Sequence, residues 1–255
     1  MTEILWTRTE RPPRGPQPSL SRDQIAAAAI GIADREGLDA VSMRRVATEL
    51  RCGTMSLYRY VRTKEELYDL MRDAVAGEDD VSTATPSGDW RADLRTAARR
   101  MRASVLRHPW LPALMVRRPA FGPNEMRGVE LMLSILDGGN LSADEKLNVI
   151  GVLGGFVQGY VQRELAEREW RGPDSRADKQ WQLAIAGYLG ELAGSGRYPQ
   201  FTRVRDEADK TPDPDAIFDW QLDRVLDGLA AVVSGHAPPV PAHAPRRART
   251  ARRPA

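Results

Sequence analysis

The sequence predicts an all-α protein in two unequal parts, a three-helix domain ahead of a larger helical domain. Three observations predict it. Capping boxes, a Ser or Thr followed three residues later by Gln or Glu, occur at Ser21–Gln24, Thr63–Glu66 and Ser142–Glu145, each ahead of an apolar-periodic run. Apolar residues recur through those runs at spacings of three and four. No segment alternates apolar and polar residues as a half-buried strand does.

Residues 1–20 are rich in Pro and Arg, lack periodicity, and read as a disordered basic arm. A helix then runs to about Glu36, with Ile25, Ala28, Ala29, Ile32 and Ala33 as its buried stripe and Gly37 ending it. Residues 42–66, SMRRVATELRCGTMSLYRYVRTKEE, read as a short helix, a tight turn, a second short helix and the capped start of a third. Ser42 caps the first of these, whose apolar face is Val46, Ala47 and Leu50. Arg51-Cys52-Gly53 breaks it, and Gly53 is expected to take the left-handed backbone. The next helix is expected over Thr54 to Val61. Leu57 and Val61 face inward there. Thr54, Met55, Ser56, Tyr58, Arg59 and Tyr60 lie on or near the outer side. Leu67, Leu70, Met71, Ala74 and Val75 stripe the helix after Thr63. The first domain therefore spans 21–76, and the polar residues 77–89 form a linker.

The second domain, 90–235, reads as helix after helix. Segments from Trp90 to Arg107, Pro123 to Leu136, Ser142 to about Glu169, Asp178 to Leu192 and Asp215 to Val233 are separated by Pro- and Gly-rich breaks, with a short piece after Pro109. Residues 194–214 read as loop. On the last helix Phe218, Leu222, Val225, Leu229 and Val232 repeat at four and three, a seam for another helix. Gly151, Gly155 and Gly159 recur every four residues on the long helix, where a second backbone can approach closely. Residues 236–255 read as a disordered basic tail.

The composition is globular, 42% hydrophobic and 28% charged, and its charge is unevenly placed. Residues 1–64 hold 11 Lys/Arg against 7 Asp/Glu, 65–235 hold 21 against 28, and the tail holds 5 against none. A basic module on an acidic body suits a protein that presents one end to nucleic acid. Cys52 is alone, so it offers neither an internal disulfide nor a zinc site. There is no secretory signal in the first twenty residues. Leu147–Val161, the most apolar stretch, is interrupted by Asn148 and Gln158 and too short to span a bilayer. No membrane partner and a cytoplasmic location are expected. No nucleophile elbow, Cys–His pair, metal spacing or dinucleotide fingerprint occurs, so neither an enzyme nor a cofactor is expected.

Two short helices across a three- to four-residue turn are a DNA-reading geometry, the second helix entering the major groove. The same shape also serves as a plain structural corner. Ser56, Tyr58, Arg59 and Tyr60 can donate to phosphates and base edges. Lys64 opens the next helix, where its ammonium and the dipole can jointly face a phosphate. Arg8, Arg11 and Arg14 in the arm can lie along a groove. Arg44 and Arg45 can reach DNA or form a solvated face.

On these residues the chain resembles the TetR family of transcriptional regulators. The features that carry the likeness are Arg44-Arg45-Val46-Ala47, then Ser56-Leu57-Tyr58-Arg59-Tyr60-Val61, then Thr63-Lys64-Glu65-Glu66-Leu67. The match is strong over 21–70 and looser beyond. There it is most similar to the tetracycline-repressor branch, by the Pro-interrupted segment after Arg107 and the Gly-bearing helix at 145–169. The resemblance implies a homodimer on a near-palindromic double-stranded operator. It places Arg44 at a base-contacting position, Thr54, Met55 and Ser56 at base edges, and Tyr58, Tyr60 and Lys64 at phosphates. It implies a small-molecule effector within the body, where Trp110, Met115, Phe121, Met126, Met132, Phe156 and Tyr160 are candidate walls, each also readable as ordinary core. It implies a dimer interface from the long and last helices, through Gly151, Gly155, Gly159, Phe218, Leu222, Val225 and Leu229. One departure stands out. Tetracycline repressors hold a metal-chelated drug with His and Glu ligands, whereas Leu114 or Met115 stands at the metal-binding His position here. His108, His236 and His243 lie elsewhere, and His108 reads as a helix-end residue facing the negative dipole. No metal site is expected, and the effector is expected to be a small apolar or aromatic compound. The expected role is a ligand-released repressor. The competing readings are a helical small-molecule-binding protein or enzyme whose helix–turn–helix is only structural, and a regulator without a small-molecule ligand.

Overall fold

The computed structural model describes residues 4–8, 20–79, 81, 84–171, 176–208 and 213–235, and no strand occurs among them. The first domain is α1 (Arg22–Glu36), α2 (Met43–Glu49), α3 (Thr54–Leu57) and α4 (Lys64–Ala76). The body is α5 (Trp90–Arg107), α6 (Leu111–Met115), α7 (Pro123–Ile135), α8 (Ala143–Arg171), α9 (Arg176–Gly194), α10 (Pro199–Glu207) and α11 (Pro214–Val233).

The capping box of α1 closes in both directions: Gln24 N–H donates to Ser21 Oγ at 3.1 Å, and Ser21 N–H to Gln24 Oε1 at 3.0 Å. Ile25, Ala26, Ala29, Ile32 and Ala33 are buried, against α4 and the rest of the small domain. Val46, Leu57, Leu67 and Met71 complete that core with no solvent exposure. Burial of a side chain of this size contributes about 1.5–3 kcal/mol. α4 then runs on into the body, where it packs against α6 and α7.

Two antiparallel helices of the body are joined by a ladder of opposite charges. Asp215, Asp219, Asp223 and Asp227 recur every fourth residue along α11 and meet Arg102, Arg99, Arg95 and Arg91 of α5. Arg99 reaches Asp219 at 2.8 Å, Arg91 reaches Asp227 at 2.6 Å and Arg102 reaches Asp215 at 2.7 Å. Arg102 is buried and also grips Glu164 of α8 in a bidentate pair at 2.8 and 2.9 Å. Its guanidinium lies 4.9 Å from the Phe218 ring centroid. A buried pair of this kind fixes geometry, because removing either partner strands the other charge.

The structure departs from the sequence reading at several places. α10 forms inside the stretch read as loop: Pro199 opens it, and the Thr202 hydroxyl donates to Ala193 O at 3.2 Å, tying it to α9. Its mostly polar, charged sequence concealed it. Within the arm read as disordered, Leu5–Thr7 forms a 3-10 turn with Leu5 buried, and the Trp6 indole donates to Ala120 O at 2.8 Å. Arg11 and Arg14, the tail 236–255, His236 and His243 lie outside the described residues. Phe218, Leu222 and Leu229 are buried in the protomer's own core, because α5 and α8 cover that face of α11. They are therefore not open to a second subunit. Val225 is half-buried and Trp220 exposed. Gly151, Gly155 and Gly159 are exposed, and a Cβ on any of them would meet no atom within 4 Å. That face of α8 is open.

Hydrogen bonds from Arg99 hold the Asp219 carboxyl below the usual carboxylate range, and bonds from Arg91 and Arg224 do the same for Asp227. A folded pKa below the unfolded value of about 3.9 means a contribution that is full above that value. It is lost as pH falls through the folded value. Asp219→Asn is expected to destabilise the fold slightly at pH 7, by less than about 1 kcal/mol for so exposed a pair, read as a small fall in melting temperature. The deficit should shrink as pH falls below the ordinary carboxylate range and the native Asp219 takes up its proton. A deficit that persists unchanged at low pH contradicts the ladder.

Candidate nucleic-acid interface and effector cavity

The α2–α3 corner is built by its caps. Arg45 N–H donates to Ser42 Oγ at 3.2 Å and starts α2. At the other end Cys52 N–H reaches back to Ala47 O at 3.0 Å and Arg51 N–H to Thr48 O at 3.1 Å, the double closure of a Schellman turn. Its left-handed position falls on Arg51, φ 52. Gly53 is instead extended, φ −72 and ψ 140, and precedes α3. The left-handed position, two residues before the glycine, is fixed by where α2 stops. α3 closes as regular helix at Leu57, and Tyr60 and Val61 N–H groups then close on Leu57 O at 2.9 Å each. The helix expected to Val61 therefore tightens into a turn over its last residues.

Leu57 and Val61 are fully buried and hold α3 against the domain. Met55 is 77% exposed, Tyr58, Arg59, Arg44 and Lys64 are exposed, and Thr54, Ser56 and Tyr60 are half-buried. All eight belong to one contiguous corner formed by α2, α3 and the start of α4. The Lys64 ammonium stands 5.3 Å from the Tyr68 ring centroid. Arg45, in contrast, is paired with Glu36 at 2.6 Å. Arg8 is buried against Glu66 at 2.5 Å, which takes it away from any groove. The same Glu66 carboxylate accepts from Arg62 N–H at 2.7 Å. Only half of the expected Thr63–Glu66 box forms, from Glu66 N–H to Thr63 Oγ1 at 3.1 Å.

A cavity of about 410 Å³ opens between α4, α5, α6, α7 and α8, within the usual range for a small-molecule pocket. Val75, Met101, Val105, Leu111, Met115, Leu131, Met132, Ile150 and Val157 supply apolar wall. Two helical glycines, Gly128 of α7 and Gly154 of α8, hollow it, since a Cβ on either would meet nothing within 4 Å. The polar members include Arg72, paired with Glu125 at 2.8 Å, and Arg100, Ser104 and Gln158. Of the seven residues expected to line a pocket, Met115 and Met132 are in the wall. Phe156 and Tyr160 pack with Phe218 at centroid distances of 5.8 and 5.0 Å. Two positions beyond Gly154, Phe156 points to the other side of α8. Trp110 is buried and donates to Asp34 Oδ1 at 2.6 Å. Phe121 and Met126 are exposed, outside the wall. The aliphatic lining escaped the sequence reading, whose only available signal was a glycine on each of two facing helices.

Polar contacts also join the body to α1 and α4. His108 caps α5 through its backbone, N–H to Ser104 O at 3.0 Å, but its ring does not serve the last carbonyls of that helix. Nδ1 lies 2.8 Å from Asp34 of α1, and Nε2 lies 3.1 Å from Glu78 just past α4. Those two carboxylates outcompete the helix end. Arg118 reaches the buried Asp69 of α4 at 2.6 Å. Burial pushes the Asp69 carboxyl above its ordinary range, and the Arg118 guanidinium pulls the other way. Among the described residues no cluster of His, Cys, Asp and Glu could hold a metal ion, and no helix is long and apolar enough to cross a membrane.

Residues 25–71 match the model of the bacterial regulatory proteins of the tetR family, and residues 82–233 match the tetracyclin repressor-like C-terminal domain. The HTH-type transcriptional repressor DrrR1 of Streptomyces coeruleorubidus is 40% identical over 91% of this chain and 85% of its own. The class A tetracycline repressor found in Escherichia coli is 26% identical over 83% of this chain and 91% of its own. Apo ActR from Streptomyces coelicolor superposes with a TM-score of 0.71 at 29% identity, covering 87% of this chain and all of that one. ActR in complex with actinorhodin gives 0.70 at 30%, covering 86% and 99%. The chain belongs to the TetR family of bacterial transcriptional regulators.

The left-handed position of the α2–α3 turn carries a side chain, which costs about 1 kcal/mol relative to glycine there. Arg51→Gly is expected to raise thermal stability by up to that amount. A lower melting temperature would show that the Arg51 side chain supports the turn.

Proposed function

We propose that the protein is a repressor that binds a near-palindromic operator as a homodimer and releases it when a small apolar or aromatic effector fills the cavity. The observation that carries this reading is a shared wall. α4 begins beside the exposed corner at Lys64 and ends in the cavity at Val75 and Ala76. A ligand that favours one placement of α4 therefore biases the placement of α3, and the two binding equilibria become coupled. The relatives support it: DrrR1 is named as a repressor, and ActR is found in complex with actinorhodin. The relatives are named as regulators, and the chain acts as a binding protein rather than an enzyme, in the cytoplasm where the chromosome is.

In this reading α3 enters the major groove. Arg44, Thr54, Met55 and Ser56 meet base edges, and Tyr58, Arg59, Tyr60 and Lys64 meet phosphates. The open face of α8, at Gly151, Gly155 and Gly159, and the outward side of α11, at Trp220, pair the two subunits about a two-fold axis.

Two expectations follow. Lys64→Ala or Tyr58→Ala should weaken binding about equally on all duplexes and flatten its salt dependence. Arg44→Ala should relax preference at one base pair by roughly 1–3 kcal/mol. A mobility-shift series in which none of the three alters binding would exclude this face. Gly154→Leu fills the cavity without touching that face. It should retain the operator but no longer release it when actinorhodin, or another aromatic compound that frees the wild type, is added. Release at the wild-type concentration would place the effector elsewhere.

A further inference from the structure

We infer that Asp73 is a positioning residue that locks the movable wall of the cavity to the DNA-binding domain, by capping α7 from α4. The inference rests on the repressor reading above. α7 begins after Gly122, which has no side chain to offer the unpaired N–H groups of the first turn. Asp73, 51 residues before Asn124, supplies the missing acceptor. Its Oδ1 accepts from the Asn124 N–H at 2.8 Å and the Glu125 N–H at 3.0 Å. The Asn124 amide donates to Asp73 Oδ2 and to Asp73 O, each at 3.1 Å.

Both glycines at the contact are required by it. A Cβ on Gly122 would stand 2.1 Å from Asp73 Oδ1, and one on Gly77 would stand 2.7 Å from Asn124 Nδ2. The carboxylate is buried and sits at the positive end of a helix, where a charge-assisted cap is strongest. Arg72, next on α4, adds its ion pair to Glu125. The two helices joined have different duties. α7 gives the cavity Gly128, Val129, Leu131 and Met132, whereas α4 carries Lys64 at its far end. Hydrogen bonds of this kind are lost when donor and acceptor separate by a fraction of an ångström beyond contact. An occupant that displaces α7 must therefore either carry α4 with it or break the cap.

The test needs no effector. The full-length protein is mixed with an inverted-repeat duplex that it selects from a random pool, and amide hydrogen exchange is followed at Met126–Leu133 of α7. In the wild type the duplex, though it touches only the first domain, should slow exchange there at least about fivefold, the lower end of typical coupling between sites. In Asp73→Ala, and in Gly122→Ala, which displaces the carboxylate from the other side, the slowing should fall below about twofold, while α2 and α3 stay protected by the duplex. Asp73→Asn keeps an acceptor oxygen in place and should restore most of it. A purely structural role would speed α7 exchange in free and bound protein alike, leaving their ratio at the wild-type value, and that result overturns the inference. So does a wild type whose α7 ignores the duplex. A wild type whose α2 and α3 gain no protection from any duplex overturns the repressor reading itself, a distinct result.

Discussion

A single buried carboxylate, Asp73, holds the first turn of α7 against the end of α4, at the centre of the contacts that join the two domains. Around that contact α4 is fixed on every side. Leu67 and Met71 are sealed in the core shared with α1. Asp69 is held by Arg118, and Arg72 by Glu125. The His108 ring joins the end of α5 to Asp34 on α1 and to Glu78. In the proposed coupling a change in the tilt of α4 reaches α3, which is anchored by the buried Leu57 and Val61.

The body is stiff on one side and yielding on the other. α5, α8 and α11 are joined by the Arg–Asp ladder, by Arg102 gripping Glu164, and by the stacked rings of Phe156, Tyr160 and Phe218. α7 has little of this. Ile135, at its C-terminal end, is its one buried residue, and its N-terminal end is capped by Asp73. Elements with few buried apolar contacts open at low cost. The cavity thus has a rigid floor and one loosely held wall, and the loosely held wall is the one linked to α4. That asymmetry gives the binding of a small molecule a mechanical direction.

Much of this was legible in the sequence, for local reasons. Caps and apolar spacing act within a few residues, so Ser21, Ser42 and Ser142, and the inward Val46, Leu57 and Leu67, are where the pattern places them. What depended on contacts between distant segments was not legible. The four aspartates of α11 look like a solvated face until Arg91, Arg95 and Arg99 are set opposite them. Asp73 looks like any helical acid until Gly122 of a later helix is brought against it. Arg51 took the left-handed position expected of Gly53 because the end of α2, not the glycine, sets the phase of the turn. Phe156 and Tyr160 attracted a pocket reading as aromatic residues, yet the cavity lies on the other side of α8, where Gly154 and small aliphatics line it. Phe218, Leu222 and Leu229 formed a convincing seam, but a helix seam does not reveal whether its partner lies in the same subunit.

The central claim is that cavity and operator are two sites on one equilibrium. The most direct measurement is the affinity of one releasing compound for the free dimer and for the dimer saturated with operator, set beside operator affinity with and without the compound. The account requires both ratios to be the same factor, about 5 to 150 in size, because coupling between sites is reciprocal. A compound that binds free and operator-loaded protein with equal affinity contradicts it.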